Sequence, residues 1–284
     1  MYQHTIIGSG EGESNVVAFI PGDPMPLAAH SSHPNYERIV ALLKGDEDPI
    51  DAEDFRGLFD VGRAVQAKFR DLSERVTVQS GHVFFDGDEI DSSLTRTILR
   101  FMDEGVEDWR PLVHFFENVQ QNPLAHSREQ LYDWLNAREG VTITPDGQIV
   151  AYKGVGRDGD KLLSIHSGRA IVNGQPVKGR IPNAVGDVIT MPRSEVVHDP
   201  ATACSQGLHV GTYEYAGGWA QGAMLKVIVN PRDVVSVPGH AGGEKIRVCR
   251  YKVAEVIDAP ITSVIDTSVC DEDDDNEWGD GEAW

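Results

Sequence analysis

Within six residues, Cys204, Ser205 and His209 bring two nucleophile types close to the commonest general base. A thiol or hydroxyl needs its base within about 3 Å to lose a proton. A strand-borne His209 would reach that far only if Gln206 and Gly207 fold into a tight turn. A triad also needs a carboxylate to orient the imidazole, and neither Asp199 nor Glu214 is singled out by its spacing. The competing reading is scaffolding: Gly207 supplies a positive φ, Cys204 is a small buried filler, and His209 sits on one sheet face with both ring nitrogens satisfied. The scaffold is the expectation, so no catalytic residue is assigned; Lys153, Cys204, Ser205, His209 and Glu214 are the candidates.

Metal chemistry has less to stand on. His166, His198 and His209, taken with Asp199, match no recurring ligand spacing, and Cys204, Cys249 and Cys270 contain no CxxC pair. No metal is expected. The glycine-rich pieces GSGEGES and GVGRDGDK imitate phosphate loops, but neither has a GK[ST] ending ahead of a helix, so both read as loops.

The elements that must position these residues change character along the chain. Residues 1–30 are Gly and Ser rich at the start and read as a flexible segment, with VVAFIPG a short strand stopped by Pro21 and Gly22. Residues 31–140 read as a helical domain with a β-hairpin. Asn35 caps a helix carrying Ile39, Leu42 and Leu43 on one face, and Leu58, Val61, Val65 and Phe69 mark a second. VTVQSGHVFFDGDEI is the hairpin. SSLTRTILRFMDEG, DWRPLVHFFENVQQNP and SREQLYDWLNAREG follow as helices, the last capped by Ser127, with joins short enough for a small antiparallel bundle.

At VTITPDGQIVAYKGV the period switches from helical to alternating, which opens a β-rich domain over 141–265. Strand runs then dominate, with one short helix near Thr212 to Gln221. The fold class expected is therefore α+β: a helical N-terminal half with a small hairpin, and a mostly antiparallel β-sheet C-terminal half with a short helix. Residues 266–284 form an acidic tail too densely charged to offset the entropy of ordering.

Charge narrows the functions. The formal net charge is -20, and the last fourteen residues hold eight acids and no base, which leaves -12 on the rest. Phosphate backbones and anionic lipids are bound through clustered Lys and Arg, so direct nucleic-acid binding is not expected. Sparse, odd cysteines fit a reducing cytoplasm. The first twenty residues lack the basic start and apolar run of a signal peptide, and no run approaches a transmembrane helix, so none is expected. An acidic tail with interspersed tryptophan can also dock on basic partners or mimic nucleic acid.

In layout, AYKGV, GLHV, a short helix, LKVIVNPRDVVSVP and RVCRYKV resemble the order of elements in ADP-ribosyltransferase and RNA 2'-phosphotransferase folds. That resemblance implies an NAD-handling enzyme in which Lys153, His209 and Glu214 or Glu244 face the cofactor. Without it, no cofactor is expected.

From about Arg75 onward, a more specific likeness runs through LTRTILRFMDEG, PLVHFFENVQQNP, ITPDGQIVAYKGV, VITMPRSEVVHDPATACSQGLHVGT, VIVNPRDVVSVP and KIRVCRYKV. In the same order, these blocks resemble the rIIB-like proteins of tailed phages. The resemblance implies an accessory protein that works by protein-protein interaction with an rIIA-like partner and host membrane-associated proteins. It implies a place in the host cytoplasm, peripheral on the inner membrane through that partner, and a role in lysis timing and escape from prophage exclusion. The helix-turn-helix-like start of the T-even protein has no counterpart in this N-terminus, so DNA binding does not carry over.

Overall fold

A computed structural model describes residues 2–8, 14–31, 33, 35–60, 75–79, 82–85, 87–89, 101, 106, 108–136, 141–202, 205–238 and 244–269. The chain divides into two units, Met1–Trp109 and Arg110–Trp284.

The first unit opens with strands. β1 (Gln3–Gly8), β2 (Ser14–Phe19) and β3 (Leu27–His30) form an antiparallel sheet in which Gln3 pairs with Phe19 and Asn15 with His30. Alternation along β2 buries Val16 and Ala18 against α1 (Tyr36–Lys44) and α2 (Ala52–Leu58), which contribute Ile39, Leu42, Leu43, Phe55 and Leu58 to one cluster. Asn35 stands at the start of α1, but its amide donates to the Leu58 carbonyl rather than capping the helix. β4 (Val76–Gln79), β5 (His82–Phe85) and β6 (Asp88–Glu89) form a second antiparallel sheet. The helices expected at Val61 to Phe69 and over SSLTRTILR lie outside the described residues.

The expectation of a helical N-terminal half is thus overturned, and the protein is mostly β. Composition misled at the start, where Gly and Ser around residues 8–14 suggested a flexible segment while the flanking residues pair as strands. The short run LAAH carries no β-branched or aromatic signal at all; it is a strand because β2 offers it an edge.

In the second unit, α3 (Arg110–Gln120) and α4 (Ala125–Asn136) do not form a free-standing bundle. Their polar residues bond the edge of a large sheet. The Asn122 amide donates to the carbonyls of Pro231 and Val234, Ser127 Oγ donates to the Val235 carbonyl, and Gln130 accepts from the Val237 amide. Ser127 is therefore no cap: it lies inside α4, fully buried, with its hydroxyl committed to a strand.

That sheet has nine antiparallel strands: β7 (Ile149–Asp158), β8 (Lys161–Val172), β9 (Gln175–Pro182), β10 (Val188–Thr190), β11 (Leu208–Gly211), β12 (Gly222–Val229), β13 (Val234–Ser236), β14 (Lys245–Val248) and β15 (Arg250–Ile257). Their order is β13-β14-β11-β7-β12-β15-β10-β8-β9, with a further pairing of β7 to β8. That pairing closes β7, β12, β15, β10 and β8 into a five-stranded ring. β8 can do this because its twelve residues outrun any single neighbour: its start meets β7, its end meets β10, and β9 runs beside it. A continuous apolar run buries β12 from Met224 to Val229, with Lys226 the one charged residue inside it. α5 (Tyr213–Gly217) packs on β7 at Gly154, where an added Cβ would come within 2.2 Å of the Ala216 carbonyl oxygen.

Several of the blocks that carry the phage resemblance meet at Arg193. Its guanidinium donates to the carbonyls of Arg232 and Val234 and to Asn122 Oδ1, each at 2.9 Å. The MPR, NPRDVV and VQQNP motifs are therefore one hydrogen-bonded knot that fastens the helices to the sheet.

Candidate functional site

β7 is shared between two neighbours along one edge. Toward its end, Gly156 to Asp158 pair with β8, whereas β11 pairs with it only at Tyr152, opposite Gly211. A side chain rather than a continuing ladder then ties β7 to β11: Lys153 Nζ donates to the His209 carbonyl at 2.9 Å. A cleft of about 1380 Å³ opens at this place, lined by parts of β7, β8, β9, β11, α5, β14 and β15 and by the turn ahead of Leu208.

The turn is set by Gly207 and Arg247. Gly207 has φ +154°, and an added Cβ would meet Val196 Cγ1 at 3.1 Å. Arg247 is fully buried, and its guanidinium donates to the carbonyls of Val197, Asp199 and Thr202, pinning the loop that leads into the turn. The Asp199 carboxylate caps its own loop through the Ala201 amide and the Thr202 hydroxyl, and those bonds hold its pKa below the usual carboxylate value. It does not orient His209.

Three sequence candidates face the cleft together: Lys153, Ser205 and His209. Lys153 lies against the Tyr251 ring, 5.4 Å from its centroid, and burial lowers its pKa to about 8. His209 makes a backbone hydrogen bond with Ser205, yet its Nε2 has no partner, contrary to the expectation that both ring nitrogens would be satisfied. Ser205 Oγ is likewise buried and without a partner. Burial first, then the charges of Lys245, Lys153 and Arg247, push the His209 pKa down to about 3. A base that weak takes up little of a serine's proton at neutral pH, so the arrangement suits hydrogen bonding to a bound group better than proton abstraction.

The other candidates fall elsewhere. Cys204 lies outside the described residues. Glu214 is exposed on α5 and Glu244 precedes β14; neither lines the cleft, where Glu195 is the one carboxylate among the described lining residues. His166 lines the cleft beside Trp219, but His198 instead lies against His126, with ring centroids 5.8 Å apart. Among the described residues no group of three or more His, Cys, Asp or Glu side chains is placed to hold a metal ion. Cys249 is a half-buried free thiol whose pKa is pushed up to about 12, chiefly by desolvation and then by Asp233, which makes it a poor nucleophile. Sequence spacing could not have supplied Lys245, Arg169, Lys178 or Tyr251, which reach the cleft from other strands.

The depressed His209 pKa has a consequence for stability. The unfolded chain binds a proton below about 6.5 that the folded chain refuses until about 3, so stability is lost as pH falls through that window. Denaturant unfolding of the wild type should therefore show a steeper loss of midpoint between pH 6.5 and 4 than unfolding of His209→Gln. Equal slopes would mean that the imidazole is not held neutral.

Comparison with known proteins gives a consistent kinship. The family profile described as Bacteriophage T4 protein rIIB matches residues 36–269. Protein rIIB of Enterobacteria phage T4 is 32% identical over 230 residues, a stretch covering 80% of this chain and 66% of that protein, just under two thirds of its length. No solved structure matches the chain.

Proposed function

The chain belongs to the family of bacteriophage T4 protein rIIB, and from that membership we propose that it is a phage accessory protein acting with an rIIA-like partner in lysis timing and in escape from prophage exclusion. The observation that carries this reading is the match over residues 36–269, which takes in α1 and α2 of the first unit and the whole nine-stranded sheet of the second. The protein works by contact rather than turnover: the knot around Arg193 lies inside the matched stretch, and it joins helices to sheet instead of presenting reactive groups.

Among the described residues no helix is long and apolar enough to cross a membrane. In this proposal the chain resides in the host cytoplasm and reaches the inner membrane through its partner. The test is to express the tagged chain with and without the rIIA-like protein of the same phage. The two should co-purify, and the chain should sediment with membranes only when the partner is present. Failure to co-purify, together with normal plating of a deletion phage on a prophage-bearing host, would sink the proposal.

A further inference from the structure

The cleft beside β7 holds charges that the rest of the molecule does not explain. In a chain of net charge -20, its described lining carries Lys153, Arg169 and Lys178, besides Lys245, against Glu195 as the one carboxylate; Lys245 has interactions of its own, so only the other three count toward a ligand. Glu195 is itself engaged, accepting from Gln206 Nε2 at 3.1 Å. Arg169 on β8 and Lys178 on β9 are direct cross-strand partners, and like charges facing each other across a ladder destabilise it unless an anion lies between them.

Deeper in, polar groups stand ready without partners. An ammonium has three donors, and Lys153 spends one of them on the His209 carbonyl. Ser205 Oγ and His209 Nε2 are buried and unbonded beside it. Buried polar atoms are almost always paired, and the bond to Ser205 leaves His209 Nε2 as an acceptor, so the spare ammonium donors and the Ser205 hydroxyl mark the place of an acceptor-rich group that also carries a hydroxyl donor. At the rim, Trp219 is 46% exposed and is flanked by His166 and Tyr215, with ring centroids at 5.8 and 6.4 Å. A planar ring can stack there. The volume of about 1380 Å³ exceeds the roughly 300–1,000 Å³ of ordinary small-molecule pockets.

We propose that this cleft binds a nucleoside diphosphate or a larger nucleotide, its phosphates held by Lys153, Ser205 and the Arg169–Lys178 pair, a ribose hydroxyl donating to His209 Nε2, and its base stacked on Trp219. The site is independent of the partner-based role, and binding is tested on the purified chain alone. Isothermal titration at low salt and pH 7 with ADP and NAD should give saturable heats and raise the melting temperature, with inorganic pyrophosphate binding more weakly and adenosine more weakly still. The exposed pair can be altered with little risk to folding: Arg169→Ser with Lys178→Ser should weaken ADP at least about tenfold. Trp219→Ala should weaken ADP while leaving pyrophosphate unchanged, and Lys153→Met should abolish both. The proposal fails if neither ADP nor NAD binds at millimolar concentration, if binding is unaltered in the Arg169/Lys178 double variant, or if pyrophosphate binds as tightly as ADP.

Discussion

Replacing Asp266 by alanine should destabilise the β-rich unit by about 3–5 kcal/mol, because it strips a buried charge of its partner. Lys226 lies in the apolar run of β12 with its side chain 1% exposed, and its Nζ meets Asp266 Oδ2 at 2.8 Å, Ser268 Oγ at 2.9 Å and Glu255 Oε1 at 2.6 Å. Glu255 is far more open to water than Asp266, so it can share the charge but cannot keep it dry. Burial alone would raise the Asp266 pKa; the hydrogen bonds from Lys226 and Ser268 and the lysine's charge outweigh it and bring the net value below normal. The sign follows directly: stability is fully present above the ordinary carboxylate pKa and is lost as pH falls through and below it. A double-mutant cycle with Lys226→Met, read by denaturant unfolding, should recover most of the loss in Asp266→Leu/Lys226→Met. A single Asp266→Ala variant within about 1 kcal/mol of wild type would show that the pair is not buried in solution.

Arg247→Met should cost about 3 kcal/mol or more, since hydrogen bonds to a charged group contribute about 1.5–3 kcal/mol each and three carbonyls lose theirs together. The effect should also be local. The loop from Val197 to Thr202 is held to β14 by that guanidinium, so limited proteolysis should cut between Asp199 and Gly207 in the variant and spare the wild type. Arg247→Lys should not rescue it, because an ammonium cannot span the three acceptors that a planar fork reaches. An uncut loop in Arg247→Met would place the anchor elsewhere.

How far the sequence led can be judged at particular residues. The switch to alternating strands at VTITPDGQIVAYKGV was legible because Pro145, Asp146 and Gly147 mark a turn and the apolar period changes just after them; β7 starts at Ile149, and Gly147 has φ +70°. The polar residues that the sequence concentrates around Ser205 and His209 stand at a turn that lines the cleft. What could not be read was the rest of the cleft. Arg169 and Lys178 face each other only because β8 and β9 pair in one register, and Lys245 arrives beside His209 only because β14 lies next to β11. Such neighbours are fixed by non-local pairing, which no local period encodes.

The helical N-terminal half failed for a related reason. β3 has little intrinsic preference for its conformation and takes it from β2 beside it, whereas the β-branched Thr5, Ile6 and Ile7 of β1 are outweighed as a sequence signal by the Gly and Ser that follow them. Ser127 looked like a cap from its place before REQL, whereas its hydroxyl answers to a carbonyl on β13, 108 residues away. At β3 and at Ser127 a tertiary partner outbid the local signal.

Ring closure through β7 and β8 also governs how the sheet meets other chains. Among the described strands of that sheet, two margins remain outside the ring, β13 and β9. The first is three residues long and is already covered by side chains of α4 and the Asn122 amide. The second contains Pro176 and Pro182, which have no amide hydrogen to offer a passing strand. The described part of the nine-stranded sheet therefore presents little template for strand addition by a second copy.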